Sequence, residues 1–377
     1  MPHSDAAGLL AGIREWVEIE TPTYDAASIN RLMTLVASQF AAAGAHVERI
    51  SGRDGRGDHL SITSPWDGPR GENSAGILVL CHLDTVHPLG TLANHLPFRV
   101  DGDKAFGPGI SDMKGGAYLA YAAYRAIAAD RKLQRLPIRL LYTSDEEVGS
   151  PTSRALIEAA ADGAKFVLVT EAARDGGKIV TARKGVGRYD ITTHGRPSHS
   201  GARHADGRSA IVEMAHQVIA IEAMTDYARG ITVNIGQIQG GTADNVVPEK
   251  CTAAIDLRVN TLADAAEMHH RLTSLQPHTP DVRIEVAGGM NRLPYEESAA
   301  GRRLFDHAKD VAREFGIDLH GVHTGGGSDG NFTAHKVATL DGLGSDGFGA
   351  HTLSEHLFVS SLVPRKMLLQ RLMETLS

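Results

Sequence analysis

Apolar positions along this chain change period from segment to segment. Over residues 5–19 and 27–43 they recur every three to four positions, which predicts two amphipathic helices. "HVERI" and "HLSITS" then read as short strands, and the wholly apolar "AGILVLC", after a Gly-rich loop, as a central strand. "PFRVDGDKAFG" predicts a hairpin turning on Asp-Gly. A helix is expected after Gly115-Gly116 over "AYLAYAAYRAIAADR". It is followed by strand "PIRLLYTS", helix "SPTSRALIEAAADG" with a Gly stop, and strand "KFVLVTE". Such alternation predicts an α/β sheet covered by helices.

The middle of the chain has another rhythm. "RYDITTHG", "GITVNIGQIQGG" and "TAAIDLRV" alternate as strands, with helical patterns in "SAIVEMAHQVIAIEAM" and "LADAAEMHHRLTSLQ". This is an α+β module, after which the α/β pattern resumes with "SAAGRRLFDHAKDVAREFG". The expected organisation is a first domain in two parts, residues 1–183 and 293–377, with a second domain, 184–292, inserted between them. The final helix, "SLVPRKMLLQRLMETL", is expected to carry Pro364 near its start, where a missing N–H costs little.

Composition narrows the function. The chain has 377 residues, 42% of them hydrophobic, enough for a substantial core. Its formal net charge of -7 gives no electrostatic case for nucleic acid, which calls for a basic face. No run of 18 apolar residues occurs, so no membrane span is expected, and the N-terminus reads as a helix rather than a signal peptide. The two cysteines, Cys81 and Cys251, make no disulfide framework and fit a reducing cytoplasm. Histidine is abundant, at 19.

Candidate chemistry sits where strands end. In "VLCHLDTVHPLG", His82 and Asp84 follow an apolar strand at i and i+2, on one side of it. The carboxylate there is suited to orienting the imidazole, as partners of metal-bound histidines do. Asp112 lies in the Gly-rich "AFGPGISDMKGG", where the plainer reading is a helix N-cap. "YTSDEEVGS" sets Glu146 beside Glu147 at the end of a buried strand, although neighbouring strand side chains point to opposite faces. Glu171 ends another strand, where a solvated carboxylate is the plainer reading. His351 and His356 share the loop "GFGAHTLSEH". Singly each is ambiguous, but together they cluster at the C-terminal edge of an α/β sheet, where ligands bind. Histidine and carboxylate without cysteine suit zinc, cobalt or manganese. Five ligands with one shared carboxylate would hold two metals about 3.5 Å apart. A dinucleotide site is not indicated, because no G-x-G-x-x-G follows a strand in the required context.

In their order, "HLDTV", "GPGISDMKGG", "TSDEEVGS", "TE" and "HTLSEH", with "GRPSHSGAR" between, resemble the di-zinc aminoacylase/carboxypeptidase family. The likeness covers nearly the whole chain. It is greatest to the glutamate carboxypeptidase branch, in "PFRVDGDKAFGPGISDMKGG", "TGGGSDG" and "SSLVPRKMLLQRLM". Other branches are acetylornithine deacetylase and succinyl-diaminopimelate desuccinylase. The resemblance implies a mixed-sheet, zinc-aminopeptidase-like catalytic domain with an inserted ferredoxin-like lid and dimerisation domain. It implies two divalent metals, Zn2+ in the first place and Co2+ or Mn2+ as alternatives. Their ligands would be His82 and Glu171 for one, Glu147 and His351 for the other, and Asp112 as the bridge. Asp84 would orient His82, and Glu146 would be the general base. His199 would reach the active site of the partner subunit in a homodimer. Asn245, Arg258, Arg292, Lys178 and the backbone at Gly327 would contact an acidic small-molecule substrate.

His351 rather than His356 fits the family spacing, with Glu355 four positions on. One departure is "KIVTARKGVG", where Arg183 and Lys184 replace small hydroxyl residues of the glutamate carboxypeptidase branch. The expected reaction is hydrolysis of an amide or peptide C–N bond next to a carboxylate-bearing group. N-acyl amino acid deacylation, dipeptide hydrolysis, attack on an unusual aromatic amide or amine, and a non-catalytic metal-binding scaffold are the alternatives.

Overall fold

The apolar run ending in His82 forms the strand Gly76–His82, buried along its whole length. Its side chains alternate between two cores, as a strand buried on both faces requires. Ile77, Val79 and Cys81 join one cluster, with residues of the helices Ala6–Val17, Ala26–Ala42, Gly115–Ala129, Ala299–Arg313 and Val359–Thr375. Leu78 and Leu80 join the other, with Ile157 and Ala161 of the helix Arg154–Asp162. The structure, a computed structural model, describes residues 5–66, 68 and 75–377; the Gly-rich segment ahead of the strand lies largely outside them.

Six strands make one mixed sheet, in the order His46–Ile50, His59–Thr63, Ile138–Thr143, Gly76–His82, Ala164–Val169 and Ala338–Leu340. The last four run parallel; the first two pairings are antiparallel. Register sets the chemistry. His82 lies opposite Thr143, and Leu80 opposite Val169. The loops carrying Glu146–Glu147 and Glu171 therefore leave the sheet at the same edge as His82. Helices begin where their caps stand: Asp5 accepts from Gly8 N, Asp25 from Ser28 N and Ser298 from Gly301 N.

The chain divides into two compact units. One is Met1–Thr181, Glu297–His323 and Ser328–Ser377, and the other is Ala182–Glu296 with Thr324–Gly327. The second unit is a four-stranded antiparallel sheet, in the order Thr232–Gly240, Lys250–Val259, Gly185–His194, Arg283–Arg292. Residues of the helices Ala210–Glu222 and Leu262–Thr273 share its core. This is the split βαβ arrangement of ferredoxin-like modules. The strand Arg283–Arg292 carries Gly288 and Gly289, which interrupt the alternation and hide it from a reading of periodicity. Among the described residues no helix is long and apolar enough to cross a membrane.

Pro364 departs from its expected place. The last helix starts at Val359, so Pro364 lies inside it rather than in its first turn. The earlier start is held by Asp103. Its carbonyl accepts from Val359 N (2.7 Å), and its carboxylate accepts from Ser360 N and Ser360 Oγ (2.7 and 2.6 Å), satisfying first-turn donors.

Three backbones meet beside Glu171. A Cβ on Gly116 would stand 1.9 Å from the Thr170 carbonyl oxygen, and one on Gly344 2.3 Å from the same atom. Only glycine lets the start of the Gly115–Ala129 helix and the Gly344 loop close on the strand end. Gly116→Ala is therefore expected to destabilise the unit by about 1–3 kcal/mol through overpacking. Thermal unfolding should register a midpoint several degrees lower, and an unchanged midpoint would contradict the close approach.

Candidate metal centre

Three strand-end loops and two distant loops bring the polar groups together. Thr143 gives way to Ser144–Asp145 and then to a single 3₁₀ turn, Glu146–Val148. The strand has ended before the two glutamates, so the opposite-face rule no longer applies to them. Asp145 is fully buried and closes this loop. It accepts from Thr152 N and Oγ1 (2.6 and 2.7 Å) and from Ser153 N and Oγ (3.3 and 2.6 Å). Asp329 holds the same loop from the other side, through Ser150 Oγ at 2.5 Å and Thr143 Oγ1 at 3.3 Å.

Asp112 lies at the centre. Its Oδ1 is 3.2 Å from His82 Nε2, and its Oδ2 is 3.2 Å from His351 Nε2. Each oxygen of one carboxylate thus faces a different imidazole. Glu171 Oε1 is 3.5 Å from His82 Nε2, and Glu147 Oε2 is 3.1 Å from His351 Nε2. Donor atoms of His82, Asp112 and Glu147 lie within 4.8 Å of one another, as do those of His82, Glu146 and Glu171. His351 takes a positive φ of 65°, which a histidine adopts at a cost. His356 lies apart from this group: its Nδ1 donates to the Ser354 carbonyl at 2.8 Å, and its ring packs on Phe106 and Phe358.

The tautomer of His82 follows from its neighbours. Nδ1 is 3.0 Å from the Asp84 carbonyl oxygen, which can only accept, so Nδ1 carries a proton. A neutral ring then aims a bare Nε2 lone pair at two carboxylates. Lone pairs facing lone pairs need a cation between them. In the protein alone that cation is a proton. Burial works against charging His82, but hydrogen bonds to Asp112, Asp84 and Glu171 outweigh it and hold its pKa well above the ordinary histidine value. Hydrogen bonds to Asp112 and Glu147 push His351 up to about 11. Burial opposes ionisation of Asp112, yet His351 and His82 keep its carboxyl far below the usual carboxylate range. Burial, then the Asp112 charge, raises Glu147 to about 7; the same two causes raise Glu171.

The donor set fits divalent cations. Glu147 Oε1 is buried without a hydrogen-bond partner, the state of a ligand atom lacking its ion. Divalent cations would meet the charge need of carboxylates crowded around two imidazoles in place of the protons. Hard oxygen and borderline nitrogen donors suit zinc, cobalt or manganese.

Asp84 does more than orient His82. Its carboxylate accepts from Glu146 N and Glu147 N, each at 3.2 Å, and from Thr23 Oγ1 at 2.9 Å; its Oδ1 stands 3.5 Å from His82 Nδ1. One buried side chain so ties the His82 loop to the paired glutamates. Glu355, which sequence reading used only as a spacing marker, is the corresponding anchor for Asp112. Its Oε1 accepts from Ser111 N and Asp112 N (2.8 and 2.9 Å), and its Oε2 from Gly109 N and His87 Nε2 (both 2.9 Å).

The remaining predicted residues are distributed as follows. Lys178, in the first unit, is part-exposed with Nζ 3.9 Å from Asp175. His199, Asn245, Arg258, Arg292 and Gly327 belong to the second unit. His199 and Asn245 adjoin: Ser200 N donates to the Asn245 carbonyl, and His199 pairs with Val246 across a short ladder. His199 Nδ1 accepts from Gly201 N and Ala202 N, both at 3.1 Å, so a neutral ring carries its proton on Nε2. Arg258 forks onto Asp256 at 2.7 and 2.9 Å. A Cβ on Gly327 would meet the Arg292 stem at 2.9 Å, so glycine lets that arginine pass. Arg183 is fully buried and donates to the Gly326 and Gly327 carbonyls (2.9 and 3.3 Å), while Lys184 Nζ donates to the Gly230 carbonyl.

Residues 78–375 match the sequence model of a family described as Peptidase family M20/M25/M40. The chain is 31% identical over 361 residues to Carboxypeptidase G2 of Pseudomonas sp. (strain RS-16), covering 94% of this chain and 86% of that protein. It is 26% identical over 364 residues to succinyl-diaminopimelate desuccinylase of Delftia acidovorans, covering 91% and 92%. The crystal structure of aminopeptidase PepT from Bacillus cereus superposes with a TM-score of 0.73 at 22% identity over 98% of both chains, a likeness of fold.

Glu355→Gln tests the anchoring of Asp112. Both oxygens of Glu355 receive backbone N–H groups, so an amide nitrogen at either corner faces a donor. The expected result is a loss of about 1–3 kcal/mol in denaturant unfolding and roughly 10–100-fold weaker zinc binding in chelator competition. Wild-type values for both would mean that Glu355 does not hold the loop.

Proposed function

The chain belongs to peptidase family M20/M25/M40 and is a hydrolase of that family, and from that premise we propose that it uses two divalent metal ions to hydrolyse a C–N amide or peptide bond next to a carboxylate-bearing group. The observation that carries this reading is the divided carboxylate of Asp112, one oxygen toward His82 and the other toward His351. In this reading His82, Glu171 and Asp112 hold one ion, and Asp112, Glu147 and His351 hold the other. Zinc is the first choice for such a set, with cobalt and manganese as substitutes. The two ions, when bound, would polarise the scissile carbonyl and lower the pKa of a water to near neutrality.

The chain's own residues do the rest. Glu146 takes the proton of the attacking water and passes it to the leaving amine. Its reach toward His82 and Glu171 supports that placement. Asp84 fixes its backbone through the N–H of Glu146. His199, with its proton directed to Nε2, is a donor for the developing oxyanion, and we place it in the active site of a second copy, in a homodimer formed through the inserted unit. Arg292 and Asn245, with Lys178 and the Gly327 backbone, grip the substrate carboxylate. Arg258 joins them only by sharing its guanidinium between substrate and Asp256.

Likeness to Carboxypeptidase G2 over nearly the whole chain supports carboxypeptidase-type cleavage, releasing an amino acid from an acyl or peptidyl group. Likeness to the desuccinylase supports N-acyl amino acid deacylation as a second reading with the same metal chemistry.

Glu146→Gln isolates the base. We expect two metal ions per chain to remain by elemental analysis while turnover of N-acyl amino acids falls by about 10²–10⁴-fold. Near-normal turnover would remove Glu146 from that role.

A further inference from the structure

Beside the metal centre, wholly within the first unit, lies a cleft of about 670 Å³. Such a volume suits a ligand fragment far larger than an acetyl group. One wall is Pro22 and Tyr24, and the other is Val86, Pro88 and Leu89. Glu147 and Val148 also line it, so the cavity reaches a residue of the proposed metal site. Its walls are fastened to each other. Thr85 N donates to the Thr21 carbonyl (2.8 Å), Thr23 N donates to the Thr85 carbonyl (3.2 Å), and Thr23 Oγ1 is bonded to Asp84. Three of the wall residues are large apolar side chains left open to solvent: Tyr24 is 74% exposed, Leu89 52% and Val86 41%. Arg56 stacks on the Tyr24 ring at 4.2 Å and holds it in place. Exposed apolar groups gathered on a rigid concave surface mark a binding site.

Charge decides which part of a substrate enters. The lining residues include Asp25 and Glu147 and, among the described residues, no lysine, arginine or histidine. Glu147 belongs to the proposed metal site, Asp25 accepts from Ser28 N and Arg56 is stacked on Tyr24. The lining thus offers a carboxylate no cationic side chain to replace its hydration, and the carboxylate-bearing leaving group and an anionic acyl group such as succinyl are both disfavoured. Resting on the proposed reading as an amide hydrolase, we infer that this cleft is the acyl subsite and that it selects a bulky, uncharged, apolar acyl group over acetyl and succinyl. Val86 and Leu89 are its specificity-determining residues.

The test compares kcat/KM of the zinc-loaded full chain on N-acetyl, N-succinyl and N-benzoyl derivatives of glutamate, of ornithine and of leucine. For whichever amino acid is accepted, benzoyl is expected to exceed both acetyl and succinyl by at least about tenfold, the value of a few buried carbons in an apolar pocket. Leu89→Arg places a cation on the exposed wall and should lower the benzoyl-to-succinyl ratio by about tenfold or more. Val86→Ser should lower the benzoyl-to-acetyl ratio. Equal rates on the three acyl groups, or ratios unmoved by both variants, overturn the subsite while leaving the hydrolase reading standing. No hydrolysis of any of these compounds overturns the proposed cleavage of N-acyl amino acids and the subsite with it.

Discussion

Buried carboxylates repel one another, and this structure gathers several of them around two imidazoles. Asp112 shares its two oxygens between His82 and His351, while Glu171 and Glu147 approach the same rings from outside. In the protein alone, protons supply the compensating charge: both histidines are driven above their ordinary range. Cations in those places would meet the same need and release the protons. The buried Glu147 Oε1, without a hydrogen-bond partner, is an oxygen such a cation could engage.

Such a cluster persists only if its backbone cannot relax away. Asp84 binds the N–H groups of Glu146 and Glu147. Glu355 binds those of Gly109, Ser111 and Asp112. On the far side, Gly344 N donates to the Glu171 carbonyl, and Arg365 of the last helix donates to the carbonyls of Gly344, Gly342 and Gly177. These anchors are themselves buried charges whose bonding capacity is spent largely on backbone, which makes them rigid supports rather than reactive groups. Catalytic precision is thereby transferred from loops to the ends of the parallel strands of a mixed sheet.

Much of this could be read in the chain before any coordinates. The strand runs that end in His82 and just ahead of Glu146–Glu147 and Glu171 were visible because largely buried strands are continuous apolar words, and polar residues at or just beyond their ends stand out. The inserted module was visible from its change of period. Other parts were hidden for physical reasons. Glu355 reaches a partner 243 positions away, so no local pattern shows it. The strand Arg283–Arg292 is masked by its two glycines. Pro364 suggests a helix start, but Asp103 satisfies donors four and five residues earlier. The pairing of Arg258 with Asp256 is a choice among partners that composition leaves open.

The proposed chemistry depends on Asp112 joining two cations. Anomalous diffraction at the zinc edge from crystals of the zinc-loaded protein tests it directly. Two peaks are expected about 3.5–4 Å apart, each about 2.0–2.2 Å from a different oxygen of Asp112, with His82 and Glu171 at one and Glu147 and His351 at the other. A single peak, or a pair that Asp112 does not bridge, would contradict it.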